Sequence, residues 1–99
     1  GGGRVNTKVL EYLVAIADER SVTRAAEKFY LSQPSLSRHV SNVEREMGEK
    51  LFERRNGELH LTDAGTIYIN GARAILAAER QAMEEIAGLD EHGGHVQGQ

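Results

Sequence analysis

The sequence predicts a mainly α-helical domain: three short helices, a β-hairpin, then one long final helix. Three observations carry that prediction. Apolar residues recur at helical spacing behind good N-cap residues in three successive stretches that end at Gly48. The period then breaks into short strand-like pieces on either side of Asn56-Gly57. After Thr62 a 4-3 apolar rhythm continues for roughly seven turns. At 99 residues the chain is enough for one small domain with a marginal core.

The first helix is expected to start at Asn6 or Thr7 and to end near Asp18–Arg20, with Val9, Leu10, Leu13, Val14, Ile16 and Ala17 as its apolar positions. Ser21 caps a short second helix whose Val22, Ala25, Ala26 and Phe29 share a face, and adjacent alanines permit a close helix crossing. Tyr30-Leu31 forms a brief turn. Ser32 caps the third helix, with Pro34 near its start, where a missing N–H is harmless. Leu36, Val40, Val43 and Met47 form its expected buried stripe, and Gly48 stops it. Leu51–Arg54 and Leu59–Leu61 read as strands joined by the Asn56-Gly57 turn, which suits positive φ at both positions. Thr62 caps the long helix, with Asp63 near its positive end, and that helix is expected to reach Leu89. The resulting division is 1–5 as a disordered stretch or cloning remnant, 6–62 as a winged helix-turn-helix, 63–89 as a linker and dimerisation helix, and 90–99 as a flexible tail.

Composition removes several function classes. Hydrophobic residues make up 39% and charged residues 27%, unlike a disordered or a membrane-embedded chain. No apolar run is long enough for a transmembrane helix, and no signal peptide is evident. The absence of cysteine excludes disulfides, thiol nucleophiles and cysteine–zinc sites, and is compatible with a cytoplasmic protein. His92 and His95 have ligand-like spacing but lack a third ligand, so no metal and no cofactor are expected. Ser37, His39 and Asp63 include triad residue types. However, Ser37 and His39 lie two apart on one helix and point away from each other. With no phosphate-binding glycine loop, an enzyme is not expected.

The net charge of −3 argues against nucleic acid when taken as a sum. Its distribution does not. Between Arg20 and Val40, Arg20, Arg24, Lys28 and Arg38 face only Glu27, while acid gathers in the long helix and tail. On a wheel of the third helix, Pro34, Arg38, Ser41 and Arg45 lie opposite the apolar stripe. Gln33, Ser35, Ser37 and Asn42 flank them, and none of these residues is acidic. Gln pairs with an adenine edge, Arg with guanine or phosphate, and Ser with either. An ordinary solvated helix face is the plain alternative, but such faces usually mix Glu with Lys. A protein-interaction winged helix is the main functional rival, and would show Tyr, Leu, Met or Phe on this face.

Four segments now carry a family resemblance. Ser21-Val22-Thr23-Arg24-Ala25-Ala26, Ser32-Gln33-Pro34-Ser35-Leu36-Ser37-Arg38, Leu51-Phe52-Glu53-Arg54 and Leu61-Thr62-Asp63-Ala64-Gly65 resemble the DNA-binding domain of LysR-type transcriptional regulators, in order and in spacing. The resemblance implies a winged helix-turn-helix that reads double-stranded DNA as a homodimer in a bacterial cytoplasm. It places Gln33, Pro34, Ser35, Ser37 and Arg38 at base edges and nearby phosphates, with Ser41, Asn42 and Arg45 completing the helix face. It puts Ser21, Thr23 and Arg24 on the DNA backbone, and Arg54 and Arg55 in a wing near the minor groove. A small-molecule inducer would bind only in a C-terminal effector domain absent from this sequence. Two positions depart from the family pattern. Arg20 stands where glycine is common, and Gly57-Glu58 stand where a basic residue is common past the wing turn.

The long helix offers a seam of Tyr68, Ala72, Ile75, Glu79, Ala82, Ile86 and Leu89, widened by Ile69, Leu76 and Met83. The first turns should pack on the domain's own core. The rest is longer than so small a body can cover, so a second copy is expected there. Tyr68, Ala72, Ile75, Ala82, Ile86 and Leu89 are the expected dimerisation residues.

Overall fold

The computed structural model describes residues 6–91. Its order is α1 (Thr7–Glu19), α2 (Val22–Lys28), α3 (Gln33–Met47), β1 (Phe52–Arg55), β2 (Glu58–Leu61) and α4 (Asp63–Glu91). Caps set the three short helices. The Asn6 carboxamide oxygen accepts from the Lys8 and Val9 N–H groups at 3.0 and 3.4 Å. The Ser21 hydroxyl accepts from Arg24 N–H at 3.1 Å, and the Ser32 hydroxyl accepts from Ser35 N–H at 3.2 Å. Each satisfies a donor that helix geometry leaves unpaired.

The stops differ in kind. Gly48 ends α3 at φ +72°, where glycine bears no penalty. Helix α2 ends in a Schellman pattern: Leu31 N–H donates to the Ala26 carbonyl at 2.9 Å and Tyr30 N–H to the Glu27 carbonyl at 3.2 Å. That pattern holds Tyr30 at φ +57° with its side chain 96% exposed. Arg20 ends α1 at φ +54°, also left-handed.

The core lies where α1 crosses the others. Leu13, Ile16, Leu36, Leu51 and Ile69 are its largest fully buried side chains. One cluster joins Ile16, Ala25, Ala26, Leu36 and Leu59, so the alanines of α2 do permit close approach. The other joins Leu13, Val43, Leu51 and Ile69, and Tyr12, Val40 and Phe52 border both. Met47 departs from expectation at 52% exposed: it is the last residue of α3, where Gly48 turns the chain away.

The hairpin is antiparallel, with Arg55 opposite Glu58 and Phe52 opposite Leu61. Asn56 and Gly57 both take positive φ, +53° and +79°, so they form the two-residue turn. That turn makes Arg55 and Glu58 the closing pair of the ladder. It shifts β1 one residue past the expected Leu51–Arg54 and leaves Leu51 buried beneath the hairpin.

The junction with α4 explains the Leu61–Gly65 segment. The Thr62 hydroxyl donates to the Lys50 carbonyl at 2.6 Å and accepts from Gly65 N–H at 2.9 Å. A Cβ at Gly65 would collide with the Leu51 carbonyl oxygen, so only glycine allows this approach. Helix α4 continues through Asp90 and Glu91, two residues beyond the expected end. The rest of the expected tail, and residues 1–5, lie outside the described residues. On the far side of the body, Arg73 Nη2 donates to Asp18 Oδ1 at 2.6 Å, tying α4 to the end of α1. That hydrogen bond keeps the guanidinium even more firmly charged than usual.

Candidate nucleic-acid interface

The outer face of α3 is open. Gln33, Pro34, Arg38, Ser41, Asn42 and Arg45 are exposed, and Ser35 and Ser37 are half-buried. Helix geometry divides them into two edges. Gln33, Ser37 and Ser41 line a groove whose other wall is the hairpin, with Phe52, Arg54 and Leu59. Ser35 and Asn42 lie on the opposite edge, and Pro34, Arg38 and Arg45 run between.

Several of these groups hold one another. Gln33 Nε2 donates to the Ser37 hydroxyl at 2.9 Å, which orders a carboxamide that would otherwise sample many rotamers. Arg45 Nη1 donates to Asn42 Oδ1 at 3.1 Å. Among the described residues, Arg38 has no carboxylate within ion-pairing range, so the central cation of the face is unneutralised. Thr23 and Arg24 are exposed in the first turn of α2. Ser21 is half-buried, and its hydroxyl is engaged as the α2 cap, leaving it less free for a ligand than the sequence suggested.

The two wing arginines separate. Side chains alternate across a strand, so Phe52 and Arg54 share one face and Glu53 and Arg55 the other. Arg54 borders the groove against α3 and has no carboxylate partner among the described residues. Arg55 Nε lies 3.2 Å from Glu53 Oε2, so the Arg55 charge is already engaged on the outer face, where His60 Nε2 also lies 3.6 Å from Glu58 Oε1. The sequence reading treated Arg54 and Arg55 alike; the ladder makes only Arg54 a neighbour of the α3 face.

The seam on α4 also divides. Ala72 is 2% exposed and covered by this chain's own core, whereas Tyr68 packs against Leu13, Val43 and Ile69 and stays half-buried. Ala72 is therefore corrected as a dimerisation position: α1 lies against α4 at that level. Burial and the nearby Glu46 carboxylate raise the Tyr68 phenol above its ordinary pKa. Further along, Ile75 is 41% exposed and Met83 and Ile86 are each 64% exposed. Ala82 is exposed and Leu89 half-buried.

Sequence reasoning missed two residues. Glu44 turned out to hydrogen-bond the backbone where the hairpin begins. Its position on the core-flanking side of α3 was visible, but its target, a backbone N–H, has no sequence signature. Arg73 likewise found Asp18 across 55 residues, a pairing no local pattern encodes.

Among the described residues, no group of three or more His, Asp or Glu side chains could hold a metal ion. None of the described helices is long and apolar enough to cross a membrane.

Comparison with known proteins agrees with this geometry. Residues 7–66 match the family described as "Bacterial regulatory helix-turn-helix protein, lysR family". The chain is 40% identical over 82 residues to the HTH-type transcriptional regulator BudR of Klebsiella aerogenes, covering 83% of this chain and 57% of that protein. It is 39% identical over 83 residues to the DNA-binding transcriptional dual regulator OxyR of Escherichia coli strain K12, covering 84% of this chain and 27% of that protein. The chain therefore spans only part of the relatives it matches. Among solved structures, the BenM_DBD/catB site 1 DNA complex superposes with a TM-score of 0.80 at 31% identity, covering 87% of this chain and 96% of that one. The CbnR_DBD–DNA complex gives 0.72 at 30%, covering 85% and 98%. Helix order, hairpin wing and the polar, arginine-bearing α3 face thus coincide with a family match over most of the body, and the chain belongs to the LysR family of bacterial regulatory helix-turn-helix proteins.

Proposed function

We propose that this chain is the sequence-specific DNA-binding part of a LysR-type transcriptional regulator, acting in the bacterial cytoplasm without catalytic chemistry. One observation carries the reading: an exposed helix face of Gln, Ser, Asn and Arg, centred on Arg38, which has no carboxylate partner among the described residues. Such a face offers donors and acceptors to base edges, and its arginines offer positive charge to a guanine or a phosphate. The relatives support it, since the solved BenM and CbnR domains stand in complexes with DNA.

In this reading α3 enters the major groove. Thr23 and Arg24, at the N-terminus of α2, meet phosphates. Arg54 reaches from the wing toward the adjacent minor groove. Two chains joined along the outer half of α4 present two α3 helices to an inverted repeat.

The test is selection of duplexes with random cores by fluorescence anisotropy at two salt concentrations. Enrichment of an inverted repeat is expected, with log K falling against log salt at a slope of roughly −5 to −9 for about 6–10 neutralised phosphates. No enrichment together with salt-independent binding would sink the reading and leave a protein-interaction winged helix in its place. Arg38→Ala then sharpens the assignment: loss of about 1–3 kcal/mol at the selected site alone marks a base contact, and equal loss on all duplexes marks a phosphate contact.

A further inference from the structure

Besides the apolar packing of Leu51, Phe52 and Leu59, side-chain hydrogen bonds tie the hairpin to its surroundings at two points among the described residues. Thr62 fixes it to α4, through its hydroxyl on the Lys50 carbonyl and its N–H on the Leu51 carbonyl at 3.0 Å. The second tie comes from α3. Glu44 Oε2 accepts from Leu51 N–H at 2.8 Å and lies 3.4 Å from Phe52 N–H. Its other oxygen, Oε1, faces the Lys50 ammonium at 3.7 Å, and the carboxylate side chain is only 12% exposed. Among the described residues, no other side chain of α3 hydrogen-bonds the hairpin.

We infer that Glu44 is a positioning residue that sets the angle of the wing against α3, and so decides where Arg54 reaches relative to Gln33, Ser37 and Ser41. This inference rests on the DNA-binding reading above. Mechanically, Phe52 and Arg54 lie on the same face of β1, two residues apart, roughly 7 Å along the strand. A hold on the Leu51 and Phe52 amides therefore acts at the root of a short lever whose tip carries Arg54. Charge-assisted hydrogen bonds to an anion are about twice as strong as neutral ones, which suits a partly buried carboxylate to this hold. Without Glu44 the polar ties come only from the α4 side, and Leu51, Phe52 and Leu59 keep the hairpin on α3 by apolar packing, which is non-directional.

The first test needs no DNA. The chain has no cysteine, so Ser41→Cys and Arg55→Cys accept spin labels without background. The α3-to-wing distance distribution is expected to be narrow in the native background, broad with Glu44→Ala, and intermediate with Glu44→Gln, which keeps a neutral acceptor. Equal widths in all three overturn the inference. If Glu44→Ala does not fold, the comparison of Glu44→Gln with the native chain decides by the same criterion.

The second test is a double-mutant cycle on the selected duplex, at a temperature where circular dichroism shows every variant folded. Arg54→Ala is expected to weaken binding about tenfold in the native background, and by less than about threefold beside Glu44→Ala. The same loss in both backgrounds, or no loss in the native one, overturns the inference, because a merely structural Glu44 would lower affinity without changing what Arg54 contributes. Failure of the native chain to bind any duplex would instead count against DNA binding, and the spin-label widths would still judge Glu44.

Discussion

The body of the domain and the outer half of α4 follow opposite rules. In the body, Leu13, Ile16 and Leu36 are fully covered, and the polar face of α3 is left open. On α4 beyond Arg73, Ile75, Met83 and Ile86 stand in solvent, and Glu79, Glu84 and Glu85 crowd beside them. The molecule measures 54 × 26 × 26 Å, so the helix projects well past the body. The difference teaches that the body closes on itself while the outer part of α4 leaves its apolar stripe uncovered by this chain. The largest expected effect breaks this comparison directly. Leu13→Ala should lower unfolding stability by about 2–5 kcal/mol in urea titrations, whatever the protein concentration. Ile86→Ala should change the stability of the isolated chain by no more than about 0.5 kcal/mol. Equal costs would mean that the outer helix is not the open surface it presents.

Next in size is association. Ile75→Glu together with Ile86→Glu places two charges on the exposed stripe but touches nothing in the body. Sedimentation equilibrium should show the dissociation constant of the dimer rising at least tenfold, about 1.4 kcal/mol, with the helical circular dichroism of the body retained. A dimer indifferent to both changes would mean that the copies meet on another surface. Because Tyr68 and Ala72 already face the chain's own core, substituting them would confound folding with association, and they are poor probes of the seam.

The same contrast marks what the sequence could and could not convey. Elements written in local code were legible: Asn6, Ser21 and Ser32 as caps, Pro34 in the first turn of α3, Asn56-Gly57 as the hairpin turn. The outer face of α3 was legible too, because helical periodicity alone separates Arg38 from Leu36. What depended on a second element was not. Ala72 belonged to an apolar rhythm that runs unbroken from core to solvent, and only the position of α1 shows where cover ends. Arg54 and Arg55 were indistinguishable until the turn fixed the register. Glu44 needed a backbone amide from the following segment.

Arg20 offers a smaller test on the body side. It occupies a left-handed position at φ +54°, where a side chain is strained and glycine is not. Relief of that strain is partly offset by the greater freedom glycine has in the unfolded chain. Arg20→Gly should therefore stabilise the domain by about 0.5–1 kcal/mol, read as a higher melting temperature. Measured alongside DNA affinity, it separates two roles. Higher stability with unchanged affinity makes Arg20 a tolerated departure from glycine. Higher stability with weaker, less salt-sensitive binding makes it a phosphate contact retained in spite of its strain.

The smallest expected effect lies at the boundary itself. Tyr68 is half-buried where α4 leaves the body, and burial first, then the Glu46 carboxylate, raise its phenol pKa in the folded state. Below the ordinary tyrosine value of about 10 the phenol is neutral in both states, and pH has no effect through this group. Above it, the unfolded chain loses its proton first and is favoured. Stability should therefore fall as pH rises from about 10 through the raised folded value, and level off beyond it. Tyr68→Phe should remove that part of the alkaline slope in melting temperatures. A slope unchanged by Tyr68→Phe would mean that the phenol is solvated like an exposed one. The first turns of α4 would then be less firmly closed against the body than Ile69 and Ala72 make them, and the boundary between the two halves would lie earlier in the helix.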